Sequence, residues 1–188
     1  PPEGVAAIHH TAMRILEEVG VEFLNLEAVD TLRQAGCTIS NETPNGALVK
    51  MDRTLVLDKL AHAPEKFSIT PRNLDRQIII GGQHMVFGSI ASPPNCADLE
   101  RGRRPGDRQS HRDLVKLSQY FNCIHFIGGY PVEPVDSHAS VRHLDCLHDH
   151  LTLSDKVVHA YSLGAGRVDD VMEMVRTVSY THLRAHET

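Results

Sequence analysis

The strongest constraint on this chain is a change of grammar near residue 84. From there three short apolar runs, 85–90 (MVFGSI), 123–127 (CIHFI) and 156–162 (KVVHAYS), alternate with helix-period segments at 109–120, 137–151 and 167–176. Such runs are expected to be strands buried on both faces. Their alternation with helices calls for a parallel sheet with right-handed crossovers. Three units begin such a sheet without finishing it. The expected fold is therefore α/β, an incomplete (β/α)8 barrel holding the first three βα units, over residues 84–177. A doubly wound open sheet is the alternative. No glycine-rich dinucleotide fingerprint follows any of the runs, which counts against it.

Residues 1–83 read as a smaller α+β accessory region. A helix over 5–19 places Ile8, Ala12, Ile15, Leu16 and Val19 on one face and stops at Gly20. A second helix runs from about 26 to 35, with Asn25 as N-cap and Gly36 beyond its end. Strands at 37–40 and 47–51 flank a turn containing Asn45-Gly46. Asp52 caps a third helix, 53–62, which Pro64 ends; 67–70 and 77–80 are short strands.

Composition removes several functions. The 188 residues carry a net charge of -5, so a phosphate-tracking, nucleic-acid-binding role is not expected. No apolar run approaches the roughly 20 residues that cross a bilayer. Cys37, Cys96, Cys123 and Cys146 form no CxxC pair, which fits reduced thiols in the cytoplasm. Arg101, Arg103, Arg104 and Arg108 read as a solvated loop rather than a phosphate site. His138, His143, His148 and His150, with Asp145 and Asp149, read as a solvated helix face. They lack the spacing of a helical zinc pair, and no HExxH, Gly-x-Ser-x-Gly or P-loop is present, so no metal site is expected.

The last stretch, 178–188 (VSYTHLRAHET), resembles the translation of a transposase end and sequencing adapter. It is expected not to be native, so His182 and His186 are not read as a metal pair despite their i, i+4 spacing.

Several motifs in order point to one family. They are 8–21 (IHHTAMRILEEVGV), 92–106 (SPPNCADLERGRRPG), 128–134 (GGYPVEP), the Asp155-Lys156 pair and 159–164 (HAYSLG). Together they resemble the trimethylamine–corrinoid protein methyltransferase family over residues 5–177. The resemblance implies a (β/α)8 barrel behind an N-terminal accessory region. Its members move a methyl group from a tertiary or quaternary methylated amine to a separate corrinoid (cobalamin) protein, in methylamine metabolism related to methanogenesis. It further implies a cytoplasmic, homo-oligomeric full-length protein, of which this chain is an N-terminal fragment, inactive alone. The partner is the corrinoid protein, and no corrinoid is expected within these residues. Which amine is used, and whether pyrrolysine takes part, is written beyond residue 177. A barrel enzyme of unrelated chemistry, or a non-catalytic piece with exposed strand edges, are the alternatives.

Barrel chemistry collects on the loops after the strands, here 89–95, 128–133 and 161–164. A methylated ammonium is held by aromatic faces, with a carboxylate nearby, because its diffuse charge donates no conventional hydrogen bond. Tyr130, Tyr161 and Glu133 are suitable types in suitable places, although rim packing for the tyrosines and a solvated loop for Glu133 are the more ordinary explanation. Asn95 is a substrate or corrinoid contact, or simply a turn residue after Pro-Pro. Period-two alternation turns His125 and His159 toward the barrel interior, where a structural role competes with proton relay; His159, nearer its strand end, is the functional candidate. The catalytic residues themselves are not identified by the sequence.

Overall fold

The computed structural model describes residues 1–183, which divide after Pro64 into two compact units. Of the stretch 178–188 set apart above, residues 184–188 lie outside the described residues, and with them His186.

In the first unit, α1 (Pro2–Arg14) runs into a wider turn, Ile15–Val19, closed by Gly20. Gly20 has φ 86°, and a Cβ there would lie 2.7 Å from the Val49 carbonyl oxygen, so only glycine lets the chain turn this close to the sheet. β1 (Val21–Phe23) follows, then α2 (Leu26–Gln34), whose first turn is capped by the Asn25 side chain accepting from Ala28 N–H. β2 (Thr38–Thr43) and β3 (Gly46–Lys50) pair antiparallel with an irregularity after Ser40, and β1 joins the other side of β3. Asp52 caps α3 (Arg53–Ala61) as expected. β1 was not anticipated: three residues after a glycine stop are too few to show a period.

The core of this unit is Val29, Cys37, Ala47 and Val49, with Phe23, Leu32, Ile39, Met51 and Leu55 packed around it. Burying each valine contributes about 2 kcal/mol. The Glu17 carboxylate accepts from the Arg53 backbone and guanidinium, which holds its pKa down to about 2. The apolar stripe expected on the first helix is largely exposed: Ile8 is 73% accessible and Val19 62%, while Met13 is buried.

The second unit opens with an antiparallel hairpin, β4 (Lys66–Ile69) and β5 (Ile78–Gly81). A second hairpin, β6 (Asn95–Asp98) and β7 (Gly102–Pro105), occupies what reads in the sequence as a long polar loop. Asp98 holds it, accepting from the Glu100 and Arg101 backbones and from the Arg101 and Arg104 side chains. Three of the four arginines expected to be solvated are thus ion-paired: Arg101 and Arg104 to Asp98, Arg108 to Asp145 and Asp149.

α4 (Arg108–Tyr120), β8 (Phe126–Ile127), α5 (Arg142–Leu153), β9 (Val157–Val158) and α6 (Ala165–Leu183) complete the order. β8 and β9 pair in parallel, and Gly88 bridges Phe126 in parallel on the other side of β8. The three expected strand segments are therefore adjacent and parallel, in mixed α/β architecture. The described residues contain small sheets and no closed barrel. The strands are shorter than expected. Residues 85–90 make no strand, because this segment is an edge with Met85 and Ile90 exposed, and Phe126 stacks its ring over Gly88.

Two helix faces differ from the sequence pattern. α4 buries Ser110, His111 and Val115 and leaves Leu117 and Tyr120 exposed. α5 starts at Arg142, five residues late, because Ser137, His138 and Ser140 make local bonds that compete with the helix. The expected solvated face of α5 is overturned in part: Asp149 and His150 are fully buried.

Candidate functional site

The β8–β9 pair has two unlike ends. At its amino end, Lys156 is buried and its ammonium donates to the Ser118 and Phe121 carbonyls at 2.6 and 2.8 Å, so a cation caps the C-terminus of α4. Asp155 accepts from Asn73 and Gln119, and Ser154 donates to Gln119. The Asn73 bond ties the β4–β5 hairpin, and the Gln119 bonds tie α4, to the start of β9.

At the carboxyl end the chain opens a cavity of about 370 Å3, lined by Ser92, Tyr130, Glu133, Arg142, Tyr161 and Arg167 among others. Three loops converge there. The Ser92 N–H donates to the Tyr130 carbonyl and its hydroxyl meets the Tyr161 hydroxyl at 2.8 Å, with Ser92 itself in the left-handed region (φ 53°). The Glu133 N–H donates to the Pro93 carbonyl. Gly129 has φ 133°, and a Cβ there would collide with the Tyr161 hydroxyl, so glycine is what lets that ring stand against the loop.

Tyr130 and Tyr161 lie edge to face, centroids 4.9 Å apart and planes at 87°. Perpendicular rings give two walls of the kind that receive a quaternary ammonium. The Glu133 carboxylate is already engaged, accepting from Arg142 at 2.7 Å, while Arg142 also donates to the Ser137 carbonyl. Below the tyrosines the His111 and His150 rings stack at 5.1 Å, and His111 Nδ1 meets the Val132 carbonyl at 3.2 Å. Both Nε2 atoms are buried without a hydrogen-bond partner. Burial, joined by the facing His111, drives the His150 pKa down to about 3, and burial also lowers that of His111. Burial raises the Tyr130 phenol far above its ordinary range and the Cys146 thiol to about 12, which makes both inert as bases or nucleophiles at neutral pH.

Of the candidates read from sequence, Tyr130, Glu133 and Tyr161 come together in this cavity. His159 lies beside it, its ring 5.4 Å from that of Tyr161, lining a small adjoining pocket with His143 and His150. Asn95 sits in β6 opposite Pro105 and is not among the lining residues. His125 stacks on Phe87, its Nδ1 accepting from the Phe87 N–H. Ser92, Arg142 and Arg167 were missed. The signal was available for the arginines, which stand in the first turns of the helices that follow the two strand-end loops. Among the described residues no helix is long and apolar enough to cross a membrane, and no cluster of His, Cys, Asp or Glu could hold a metal.

A cavity at the carboxyl ends of parallel strands is where α/β proteins place their ligands. The sequence comparisons narrow that class. A sequence model of the family described as trimethylamine methyltransferase (MTTB) matches residues 1–187. The chain is 32% identical over 170 residues to the glycine betaine methyltransferase of Desulfitobacterium hafniense (strain Y51), covering 90% of this chain and 34% of that one. It is 24% identical over 141 residues to trimethylamine methyltransferase MttB of Desulfitobacterium hafniense (strain DSM 10664 / DCB-2), covering 74% of this chain and 27% of the relative. Over 66 residues it is 36% identical to the proline betaine:corrinoid methyltransferase of Eubacterium limosum, 35% of this chain and 13% of the relative. The chain belongs to the trimethylamine methyltransferase family, and it spans about a third or less of the length of these relatives.

Proposed function

We propose that these residues are part of a corrinoid-dependent methyltransferase, and that the cavity behind Tyr130 and Tyr161 receives its methylated amine. The observation that carries this is the perpendicular tyrosine pair at the strand carboxyl ends, in a chain of this family. The aromatic faces would hold the ammonium by cation–π attraction and orient an N-methyl group outward. Ser92 and Gly129 fix the Tyr161 ring, while Glu133 and Arg142 set the cavity wall as a pair. His159 would act at the edge of the site, and Asn95 on the β6–β7 hairpin would meet the corrinoid protein rather than the amine. That partner's corrinoid is the methyl acceptor, a substrate of the reaction rather than a group bound by these residues.

The same reading makes residues 84–177 the first three βα units of a (β/α)8 barrel, behind an accessory region at 1–83. Support comes from the parallel order Gly88, β8, β9, with helices on the connections. Four free cysteines fit a reducing, cytoplasmic setting. The test is the full-length methyltransferase with glycine betaine and a reduced corrinoid acceptor, followed by proton NMR. Formation of dimethylglycine in step with acceptor methylation supports the reading. No demethylation of glycine betaine, proline betaine or trimethylamine would sink it.

A further inference from the structure

Adjoining the larger cavity is a pocket of about 10 Å3, walled by Tyr130, Tyr161, His143, His150 and His159 among others. Two of these side chains carry a nitrogen that no protein group answers. His150 is 1% accessible, and its Nε2 is buried without a hydrogen-bond partner. The His143 side chain is 12% accessible, and its Nδ1 is buried and unpartnered in the same way. Each ring is held from another side. Stacking on His111 at 5.1 Å holds His150, and a 2.8 Å hydrogen bond between Nε2 and the Asp170 carboxylate holds His143. That bond also sets the chemistry of His143. A carboxylate accepts, so Nε2 carries the hydrogen, and Nδ1 of the neutral ring is a lone pair that needs a donor. Buried polar atoms in native proteins are answered by protein groups or by ordered water.

We propose that the small pocket is a binding site for a single water, which bridges His143 Nδ1 and His150 Nε2. The space is about that of one water molecule, and walls that include three imidazoles and two phenols keep it wet where apolar walls would leave it dry. The water donates one hydrogen to His143. It meets His150 with its oxygen or its other hydrogen, as that ring's tautomer requires. A methyl group in the same space would leave both nitrogens unanswered. The bridge matters to the larger cavity because His143 lines that one too. With Asp170 on one nitrogen and the water on the other, its ring is fixed in one tautomer and one orientation. His143 is then a positioning residue, acting through the stretch of cavity wall it forms. This positioning role rests on the amine-binding reading above; the water does not.

The two parts are tested separately on the full-length protein. A high-resolution crystal structure should show one water within about 3.2 Å of both nitrogens. Imidazole 15N NMR should find His143 protonated at Nε2 and bare at Nδ1. A dry pocket, a protein group bonded to either nitrogen, or a proton on His143 Nδ1 would overturn the bridge. His150→Phe keeps an aromatic ring against His111 and removes one end of the bridge. It should lose the water and raise KM for glycine betaine about fivefold at nearly constant kcat, the size of one hydrogen bond. Asp170→Ala, at a half-exposed position, releases His143 from the other side and should raise KM similarly even if His150→Phe does not fold. An unchanged KM in either folded variant would overturn the positioning role and leave the amine reading standing. No turnover of glycine betaine by the wild type would sink the amine reading and the positioning role together, while the crystal structure still decides the water.

Discussion

The amino and carboxyl ends of the β8–β9 pair are built from similar residue types to opposite purposes. At the amino end every polar group noted is answered: Lys156 by two carbonyls, Asp155 by Asn73 and Gln119, Ser154 by Gln119. At the carboxyl end the arrangement is deliberately incomplete. Among the described residues Arg167 has no acidic partner, Ser92 holds a left-handed backbone, and two stacked histidines keep buried nitrogens without partners. Satisfied polar networks rigidify; unsatisfied ones cost stability and are retained where a ligand or a reaction uses them. One end anchors the strands, and the other is where the proposed site lies.

The largest expected effect falls on the anchoring end. Lys156→Ala should leave the last carbonyls of α4 without their donor and lower stability by about 3 kcal/mol, measured by urea unfolding. Glycine betaine affinity at the far end should not change in the folded fraction. If affinity fell in parallel, the division between the two ends would be wrong.

Next is acid. The unfolded chain protonates a histidine near pH 6.5, whereas the folded His150 stays neutral down to about pH 3. Between those values the unfolded state binds the extra proton. Stability is therefore full above pH 6.5 and falls as pH drops, by about 1.4 kcal/mol per unit for one such group. His111, lowered in the same direction, adds to the slope. Denaturant melts from pH 7 to pH 5 check this, and His150→Phe should flatten the curve.

Smaller again is Gly129→Ala. A left-handed alanine costs about 1–2 kcal/mol in stability, and the displaced Tyr161 ring should weaken glycine betaine binding more than it weakens the fold. Comparing the two losses sharpens the contrast between scaffold and site.

How much of this was legible depended on whether the cause was local. Asn25, Asp52, Gly20 and the Asn45-Gly46 turn act within a few residues, and the first unit follows them closely. The parallel order of Gly88, Phe126 and Val157 was also legible, because short apolar runs between helices have few other uses, although 85–90 contributes only a bridge and not the expected strand. The polar interior was not. Asp149 and His150 look like a solvated helix face until Arg108 and Arg112 arrive from α4 and the His111 ring stacks beside them. The β6–β7 hairpin was hidden for the same reason: Arg101 and Arg104 pair with Asp98, which makes a hairpin out of a composition that reads as loop. In the candidate site, residue type and strand-end position pointed to Tyr130, Glu133 and Tyr161, which line one cavity. The ion pair that disarms Glu133, and the missing partner of Arg167, exist only in three dimensions.

The central claim is that the Tyr130–Tyr161 corner holds the ammonium group. It is tested most directly by steady-state methyl transfer from glycine betaine with Tyr161→Phe and Tyr161→Leu in the full-length protein. The phenylalanine variant keeps the π face and loses only the Ser92 contact, so its KM should stay within about twofold of the wild type. The leucine variant removes the face and should raise KM about tenfold at nearly constant kcat, with the fold intact. A leucine variant with the wild-type KM would contradict the account.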